Sequence, residues 1–405
     1  MIKYSKIKND LEIETSKENK NKDDELAFLT HYLQNSDSPI GSYYVKKAEN
    51  YINQFDTSFN FSNNREEIEW DVTFPPPENP LFKFIDLFAG IGGFRIAFQK
   101  LGGKCVFSSE IDKYCKITYE KNFGEVPFGD IKKIHEKDVP DHDILLAGFP
   151  CQTFSIAGKK AGFKDVRGTL FFDISRILKK KKPKAFLLEN VKGLNHHDKG
   201  KTLATILNVL RKDLDYYVPQ PEILNAKDFG VPQNRERIFI VGFRKDLNIS
   251  TFNYPGPLNM KTSVKDILED DPVSVKYYLS KRYLDTLKEH KMRHKNKGNG
   301  FGYKVISSDK CANAIVIGGM GKERNLIYDD RLTNFIPVTK IKGEVNRECI
   351  RRMTPREWAR LQGYPEKFKI KVSDSQAYKQ FGNSVAVPVV QEIGKAILNL
   401  VLEKK

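Results

Sequence analysis

The chain has 405 residues, of which 40% are hydrophobic and 11% aromatic, enough for one large core with a smaller unit or for two or three domains. It has no run of about 18 apolar residues to span a bilayer, and its first ten residues lack the apolar segment of a secretory signal, so we expect a cytoplasmic protein with no membrane partner. Residues 1–80 carry 9 basic and 15 acidic side chains, whereas residues 81–405 carry 59 and 37. The net charge of +22 on the second part favours a polyanionic partner.

The N-terminal extension, residues 1–80, is rich in Asn, Lys, Asp and Glu, with helical patterns at 25–33 and 43–55. The proline-rich run PPPENP at 75–80 predicts a stiff boundary. Two interpretations of the extension stay open, a flexible or stabilising segment and a regulatory module that binds DNA or a partner. Its acidic balance disfavours direct contact with DNA.

A catalytic domain over 81–262 is predicted from short apolar runs that alternate with helical patterns. The runs are FKFIDLF, CVFSSE, DILLAGF, KAFLLENV and RIFIVGF. Strands that are apolar on both faces and alternate with helices indicate an α/β fold with a doubly wound, mostly parallel sheet. Ligands of such sheets bind beyond the carboxyl ends of the strands.

Residues 263–379 are rich in Lys and Asn, and KEHKMRHKNKGNGFGYK is their most basic stretch. This composition predicts a smaller, loop-rich unit that contacts a nucleic-acid backbone, the alternative being a solvated linker. The C-terminal segment, 380–405, should return to the catalytic domain. The whole stretch from TPREWARLQ to the helical tail is apolar enough to pack there.

The segment DLFAGIGG, residues 86–93, follows the first strand and precedes a helical pattern. Glycines there permit a tight turn and let a ligand approach the backbone at a helix N-terminus. The spacing GxGG matches neither the dinucleotide fingerprint nor the Walker loop. Glu110, at the end of the next strand, could bind ribose hydroxyls, and Asp130 could accept from an adenine amino group. Together they predict an adenosine cofactor without a pyrophosphate; the alternative is a purely structural turn.

The five cysteines form no CxxC pair, and their odd number would leave one without a disulfide partner. Neither a disulfide framework nor a zinc site is therefore indicated. Only Cys151, in AGFPCQTFS, has surroundings that favour chemistry. It follows a strand on a loop fixed by Pro150, the position of an exposed nucleophile. A thiolate at neutral pH needs a positive or hydrogen-bonding environment. Arg235 and Arg237 could supply it, because their alternation in QNRER sends both to one side.

Glu189, in LLENV, ends a further strand of the same sheet. A carboxyl group there could hydrogen-bond N3 and the exocyclic amine of a cytosine and stabilise charge as a thiolate attacks. The alternative for an isolated glutamate is a surface ion pair. The polar turn in QFGNSVAVP, 380–388, is suited to closing a cofactor pocket.

Six blocks, DLFAGIGG, GFPCQTFS, ENV, QNRERI, RRMTPREWARLQGYP and AYKQFGNSV, resemble the cytosine-5 DNA methyltransferase family in order and spacing. The stretch GNGFGYK and the proline-rich run further resemble its Dcm-type, restriction-modification branch, which methylates CCNGG-like or CCWGG-like sites. The resemblance implies a Rossmann-like, S-adenosylmethionine-dependent fold with a target recognition domain at 263–379. It also implies methyl transfer to C5 of a flipped-out cytosine in a specific double-stranded DNA sequence, through a covalent Cys151 adduct.

The same resemblance assigns roles to individual residues. The catalytic residues are Cys151, Glu189, Arg235 and Arg237. The residues implied for S-adenosylmethionine, and for its product S-adenosylhomocysteine, are Phe88, Ala89, Gly90, Gly92, Gly93, Glu110, Ile111, Asp130, Ile131, Pro150, Tyr364, Asn383, Ser384 and Val385. The residues implied for DNA contact are Gln152, Ser155, Lys159, Lys160, Gly318, Gly319 and Arg324.

The pattern departs from some family members at Ile111, where they place a tryptophan against the adenine. An aliphatic contact then replaces ring stacking. Arg324 is the candidate for reading a guanine in the major groove. No metal is implied, and we expect a monomer whose functional partner is a cognate restriction endonuclease.

Two alternative functions use the same sequence. One is a tRNA cytosine-5 methyltransferase, which the long basic segment after residue 262 disfavours. The other is a DNA-binding regulator in which the methyltransferase core is silent and residues 1–75 form a helix-turn-helix or partner-binding module.

Overall fold

The computed structural model describes residues 2–9, 22–35, 42–52, 68–149, 170–317, 321–336 and 343–402. Several residues with predicted roles lie outside these ranges, namely Pro150, Cys151, Gln152, Ser155, Lys159, Lys160, Gly318 and Gly319.

The described strands, in chain order, are β1 (Ile2–Lys3), β2 (Ile68–Glu69), β3 (Phe82–Leu87), β4 (Gly103–Ser109), β5 (Ile144–Gly148), β6 (Ala185–Val191), β7 (Tyr216–Tyr217), β8 (Glu222–Asn225), β9 (Gln233–Asn234), β10 (Glu236–Arg244), β11 (Ala312–Asn313), β12 (Leu326–Tyr328) and β13 (Ile350–Arg352). The described α-helices are α1 (4–9), α2 (Lys22–Gln34), α3 (Ser42–Ile52), α4 (Gly93–Lys100), α5 (Lys113–Phe123), α6 (Leu170–Lys181), α7 (Lys201–Asn208), α8 (Lys281–Asn296), α9 (Pro355–Leu361), α10 (Asp374–Asn383) and α11 (Val387–Leu402).

One seven-stranded sheet has the order β4-β3-β5-β6-β10-β7, with β8 also paired to β10. Strands β3, β4, β5 and β6 run parallel to one another, as predicted. The fifth apolar run, RIFIVGF, lies in the sheet as β10 but is antiparallel to β6, β7 and β8. Because β10 is buried on both faces, its composition does not distinguish it from a parallel strand.

Both faces of this sheet are covered, which confirms a doubly wound α/β fold. Helices α4 and α11 lie in the apolar cluster on one face, and α6 and α7 lie in the cluster on the other. Alternate residues along each strand enter alternate clusters. Phe84, Leu146 and Leu187 belong to the first cluster, and Ile85, Leu145 and Leu188 to the second.

The stretch Asp374–Leu402, which contains α10 and α11, is long and apolar enough to cross a membrane by length and composition alone. In the fold, however, its side chains Val390, Ile393 and Ile397 are fully buried in the first cluster. A core helix that is apolar on most sides has the same composition as a spanning one. We therefore assign this stretch to the protein core.

The helical patterns predicted in the N-terminal extension correspond to α2 and α3. Leu26 and Ala27 of α2 lie in the same apolar cluster as Val106 and Phe107 of the edge strand β4. The core therefore continues across the proline-rich run into the extension.

A smaller unit follows β10 along the chain. In it, Leu284 and Leu287 of α8 pack against Leu326 and Ile350 of the antiparallel β12–β13 pair. From Met353 onward the chain lies in the core of the large sheet again. This return includes α9, which lies in the stretch from TPREWARLQ onward that was expected to pack there.

Candidate active site

The carboxyl ends of β3, β4, β5 and β6 open into one cavity of about 750 Å³. The strand order reverses between β3 and β5, which is where ligands of open α/β sheets bind. The volume lies within the roughly 300–1,000 Å³ typical of ligand sites. Most of the predicted site residues that the structure describes line this cavity, namely Phe88, Ala89, Gly90, Gly93, Glu110, Ile111, Asp130, Ile131, Glu189, Arg235, Arg237, Asn383, Ser384 and Val385.

The glycine turn after β3 has left-handed backbone conformations at Phe88 (φ 56°), Gly90 (φ 56°) and Gly92 (φ 84°). A Cβ atom at Gly92 would lie 2.3 Å from Cε2 of Phe123, so the turn packs too closely on that ring for any side chain. A Cβ atom at Gly90 would meet nothing within 4 Å. The backbone at Gly90 is therefore open to a ligand.

Tyr364 and Gly92 do not line the cavity, although both are predicted cofactor residues. The hydroxyl of Tyr364 lies 2.5 Å from Oγ of Ser384. It would also lie 2.8 Å from a Cβ atom placed on Gly93. Tyr364 thus supports the wall from behind instead of closing the site, because the turn and Ser384 stand between it and the cavity.

The carboxyl group of Glu110 is held by two backbone donors. Oε2 accepts from the N–H of Gly90 and Oε1 from the N–H of Asp112, both at 2.7 Å. Burial raises the pKa of Glu110, while these two hydrogen bonds act in the opposite direction. Each oxygen keeps a lone pair for a further donor, as a ribose hydroxyl would require.

An apolar shelf lies next to Glu110. Ile111 is 73% exposed and Ile131 is buried, and both line the cavity beside Asp130. The carboxylate of Asp130 accepts from the N–H of Lys132 at 3.1 Å and has capacity for another donor. This end of the cavity therefore combines an apolar shelf, the carboxylates of Asp130 and Glu110, and the open backbone at Gly90.

Glu189 lies at the other end of the cavity. It is the register partner of Gly148, so the chain that leads toward Cys151 passes beside it. Its Oε1 lies 3.0 Å from Nε of Arg237. Burial raises the pKa of Glu189, and the charges of Arg237 and Arg235 act against that rise. The Glu189 carboxyl group therefore keeps its proton to a higher pH than a glutamate in water.

Arg235 is 2% exposed, and its guanidinium group donates to three backbone carbonyls. Nη1 donates to Ile315 O at 3.0 Å, and Nη2 donates to Ser384 O at 2.7 Å and to Gly382 O at 3.2 Å. Burial and the charge of Arg237 lower the pKa of Arg235 to about 9. Both arginines reach the cavity, as their alternation predicts, but Arg235 is occupied mainly in joining distant segments.

Two features of the site were not predicted as functional. Nδ2 of Asn190 donates to Phe149 O at 2.9 Å and so fixes the chain just before residue 150. Lys379 and Asp112, which both line the cavity, form an ion pair of 2.6 Å that joins α10 to the start of α5. Asn190 stands inside the ENV block, next to a predicted catalytic residue, but no local pattern indicates the partner of Lys379.

Arg324 lies in the smaller unit on a short 3-10 turn, Lys322–Asn325, and is exposed. Its neighbours on both sides are buried and bonded: Glu323 accepts from Arg352 at 2.9 Å, and the N–H of Asn313 donates to Asn325 at 2.8 Å. The turn therefore presents the Arg324 side chain from a fixed base.

The model of the C-5 cytosine-specific DNA methylase family matches residues 82–399. The chain belongs to this family, and its fold is that of a methyltransferase that uses S-adenosylmethionine. It is a DNA cytosine-5 methyltransferase of the restriction-modification type. The family, the fold class and the enzyme activity expected from the sequence are thereby confirmed, and the tRNA alternative is set aside.

Two relatives share most of the chain. Type II methyltransferase M.HpaII of Haemophilus parainfluenzae is 63% identical over 331 residues, which cover 80% of this chain and 92% of that protein. Type II methyltransferase M1.ScrFI of Lactococcus lactis subsp. cremoris is 52% identical over 326 residues, which cover 80% of this chain and 79% of that protein.

Solved structures with the same fold include a mutant of Spodoptera frugiperda DNMT2, with a TM-score of 0.58 and 21% identity over 78% of this chain and 99% of that one. The S. pombe Dnmt2 methyltransferase has a TM-score of 0.59 and 21% identity over 78% and 98%. At this level of identity the likeness concerns the fold alone.

Proposed function

We propose that the protein methylates C5 of one cytosine in a specific duplex DNA sequence through a covalent adduct between Cys151 and the flipped-out base. We further propose that it acts as a monomer in the bacterial cytoplasm and protects DNA from a cognate restriction endonuclease. One observation carries the chemical part. Gly148, which leads toward Cys151, pairs with Glu189, and the glycine turn of the cofactor site lines the same cavity.

The target base must leave the duplex before it can react, because a stacked cytosine cannot present C6 to a thiolate. Extrusion costs a few kcal/mol. The thiolate of Cys151 then forms a bond to C6, while protonated Glu189 donates to N3 and limits the charge that develops on the ring. The raised pKa of Glu189 supports this role, since it favours the protonated form.

S-adenosylmethionine, when bound, supplies an electrophilic methyl group. Glu110 would hold its ribose, and Asp130 its adenine amino group. The open backbone at Gly90, together with Asn383 and Ser384, would hold its methionine part. After methylation, loss of the C5 proton and expulsion of the Cys151 sulfur restore the aromatic ring. In this scheme Arg237 balances the charge of Glu189, and Arg235 holds the cavity wall in place.

Replacement of the nucleophile tests the scheme directly. Bisulfite sequencing of DNA from cells that express the protein first locates the methylated site. On a duplex with that site, Cys151→Ser should lower tritium transfer from labelled S-adenosylmethionine by at least about 10³-fold, on the scale of losing a nucleophile in other enzymes. Its affinity for the cofactor, measured by calorimetry, should stay within about twofold of wild type. Robust methylation by this variant would contradict the covalent mechanism.

We infer that the unit with Arg324 recognises the target sequence, for which the resemblance implies a CCNGG-like or CCWGG-like site. An arginine bidentate to a guanine contributes about 1–3 kcal/mol of discrimination. Arg324→Ala should therefore weaken binding to the methylated site more than binding to unrelated duplexes. Arg282→Ala, at an exposed position on α8, is the matched control and should change both equally. If Arg324→Ala weakened binding to the methylated site and to unrelated duplexes equally, Arg324 would not recognise the target sequence.

A further inference from the structure

A buried polar cluster lies where the N-terminal extension meets the catalytic domain. Its members come from four segments of the chain and are each at most 2% exposed: His31 and Gln34 of α2, Arg95 of α4, Ser108 of β4, and Glu125. The family match begins at residue 82, so α2 lies outside the part of the chain that defines the family. Arg95, in contrast, belongs to the helix that follows the glycine turn.

The first link in this cluster runs from α2 to α4 through Gln34. Its Oε1 accepts from Nη2 of Arg95 at 2.8 Å, and its Nε2 donates to Phe123 O at 2.6 Å. Nη1 of Arg95 donates to Oε1 of Glu125 at 2.8 Å, and both side chains are fully buried. Gln34 thus binds the cation of a buried ion pair.

The second link runs from α2 to β4 through His31. Nδ1 donates to Ala27 O at 2.8 Å, so Nε2 is the nitrogen that faces the catalytic domain. Nε2 accepts from the backbone N–H of Ser108 at 3.1 Å and lies 3.1 Å from Oε1 of Glu125. The hydroxyl of Ser108 donates to the same Glu125 oxygen, at 2.6 Å.

The charges in the cluster depend on these partners. Burial opposes ionisation of Glu125, but Arg95, His31 and Ser108 outweigh it and lower the pKa of Glu125 to about 2. A buried ion pair is stable only when its remaining donors and acceptors are satisfied. Removal of Gln34 would take away the acceptor of Nη2 of Arg95, and removal of His31 would take away the acceptor of the backbone N–H of Ser108. These two donors would shift to find another acceptor.

Such a shift would reach the glycine turn. The Arg95 guanidinium lies 4.6 Å from the centre of the Phe123 ring, the ring on which Gly92 packs. Ser108 lies in β4, two residues before Glu110, which follows that strand and whose carboxylate accepts from Gly90. The cluster is therefore linked to both elements that shape the cofactor end of the cavity, to the glycine turn through Phe123 and to Glu110 through β4.

We propose that helix α2 supports cofactor binding, with Gln34 and His31 as positioning residues for the glycine turn and for Glu110. This inference rests on the proposed placement of S-adenosylmethionine in the cavity. It gives the N-terminal extension a role in cofactor affinity that neither a passive extension nor a separate DNA-binding module would have.

The test compares variants of the full chain by calorimetry with S-adenosylhomocysteine. Gln34→Leu removes both hydrogen bonds at similar volume, and His31→Phe keeps the ring contact with Phe128, whose centre is 4.5 Å away. Each should weaken binding by about 10-fold, on the scale of one lost hydrogen bond to a charged group. KM for S-adenosylmethionine should rise in parallel, with kcat at saturation and DNA affinity within about twofold. If Gln34→Leu does not fold, the cofactor affinity of His31→Phe alone decides the test.

The matched control is Leu33→Ala, on the same helix. Leu33 packs in a separate cluster with Tyr4, Ile7 and Leu29, so this change should lower Tm and leave cofactor affinity unaltered. Equal weakening of cofactor binding by Leu33→Ala at the same loss of Tm would overturn the inference, because α2 would then only stabilise the fold. Unaltered binding by both polar variants would also overturn it. Failure of the wild-type chain to bind would instead refute the proposed function on which the inference rests.

Discussion

The two ends of the cavity each contain a glutamate, and they hold it in different ways. Glu110 is bound by two backbone N–H groups, whereas Glu189 lies beside two arginine side chains. Burial raises the pKa of both carboxyl groups. Neutral main-chain donors fix a shape that a cofactor can enter, while neighbouring side-chain charges can balance the gain or loss of a proton during a reaction. The comparison predicts that damage at the two ends will affect different kinetic constants.

The largest effect is expected at the base end. Glu189→Gln keeps the size of the side chain but removes its exchangeable proton, and it should lower kcat by about 10²- to 10⁴-fold. In the wild-type enzyme, activity that needs protonated Glu189 should fall as pH rises through its raised pKa, and the variant should lose that dependence. Rates measured across pH on one duplex test this, with the exposed Glu222→Gln as control. An unchanged kcat for Glu189→Gln would contradict the proposed difference between the two ends of the cavity.

A smaller effect of a different kind is expected at the cofactor end. Glu110→Gln places an NH₂ group against one of the two backbone donors, so the turn at Gly90 must move. We expect about 10-fold weaker binding of S-adenosylmethionine, since one hydrogen bond to a charged group is lost. At saturating cofactor, kcat should stay within about threefold. Calorimetry and steady-state kinetics measure both constants, and a large loss of kcat with normal affinity would reverse the assignment of the two ends.

The smallest effect is expected from the exposed shelf. Ile111→Trp adds an aromatic surface where the adenine is placed, and stacking contributes about 0.5–1.5 kcal/mol. S-adenosylmethionine should therefore bind about 2- to 10-fold more tightly. Ile117→Trp, at an exposed isoleucine on α5, should leave the affinity unchanged. Weaker binding by Ile111→Trp would show that the adenine lies elsewhere in the cavity.

Sequence patterns predicted the sheet and both glutamates because these features are local. Apolar strands, the glycine turn and a carboxylate at a strand end each occupy a few consecutive residues, and a parallel sheet brings strand ends to one edge. The direction of β10 was not predictable, since a strand buried on both faces has the same composition in either direction. The domain boundaries and the role of Cys151 remain predictions.

Contacts between distant segments were also not predicted from the sequence. Tyr364 was placed in the cofactor contact set, but its hydroxyl turns toward Ser384 behind the wall. The ion pair between Lys379 and Asp112 joins residues 267 positions apart. The buried polar cluster was likewise missed, because His31 and Gln34 occur in a stretch whose polar composition indicates an exposed helix. Only the packing of α2 on β4 converts them into interior groups.

Arg235 also bears on how the enzyme folds. Its guanidinium joins carbonyls 80 and 149 positions away along the chain, so the wall of the cavity closes only after long loops have been ordered. Contacts of this range form slowly, because their entropic cost precedes the stabilisation they provide. Chains longer than about 100–150 residues commonly pass through partly folded intermediates. The sheet can therefore assemble first, as a species that has its secondary structure but no competent pocket.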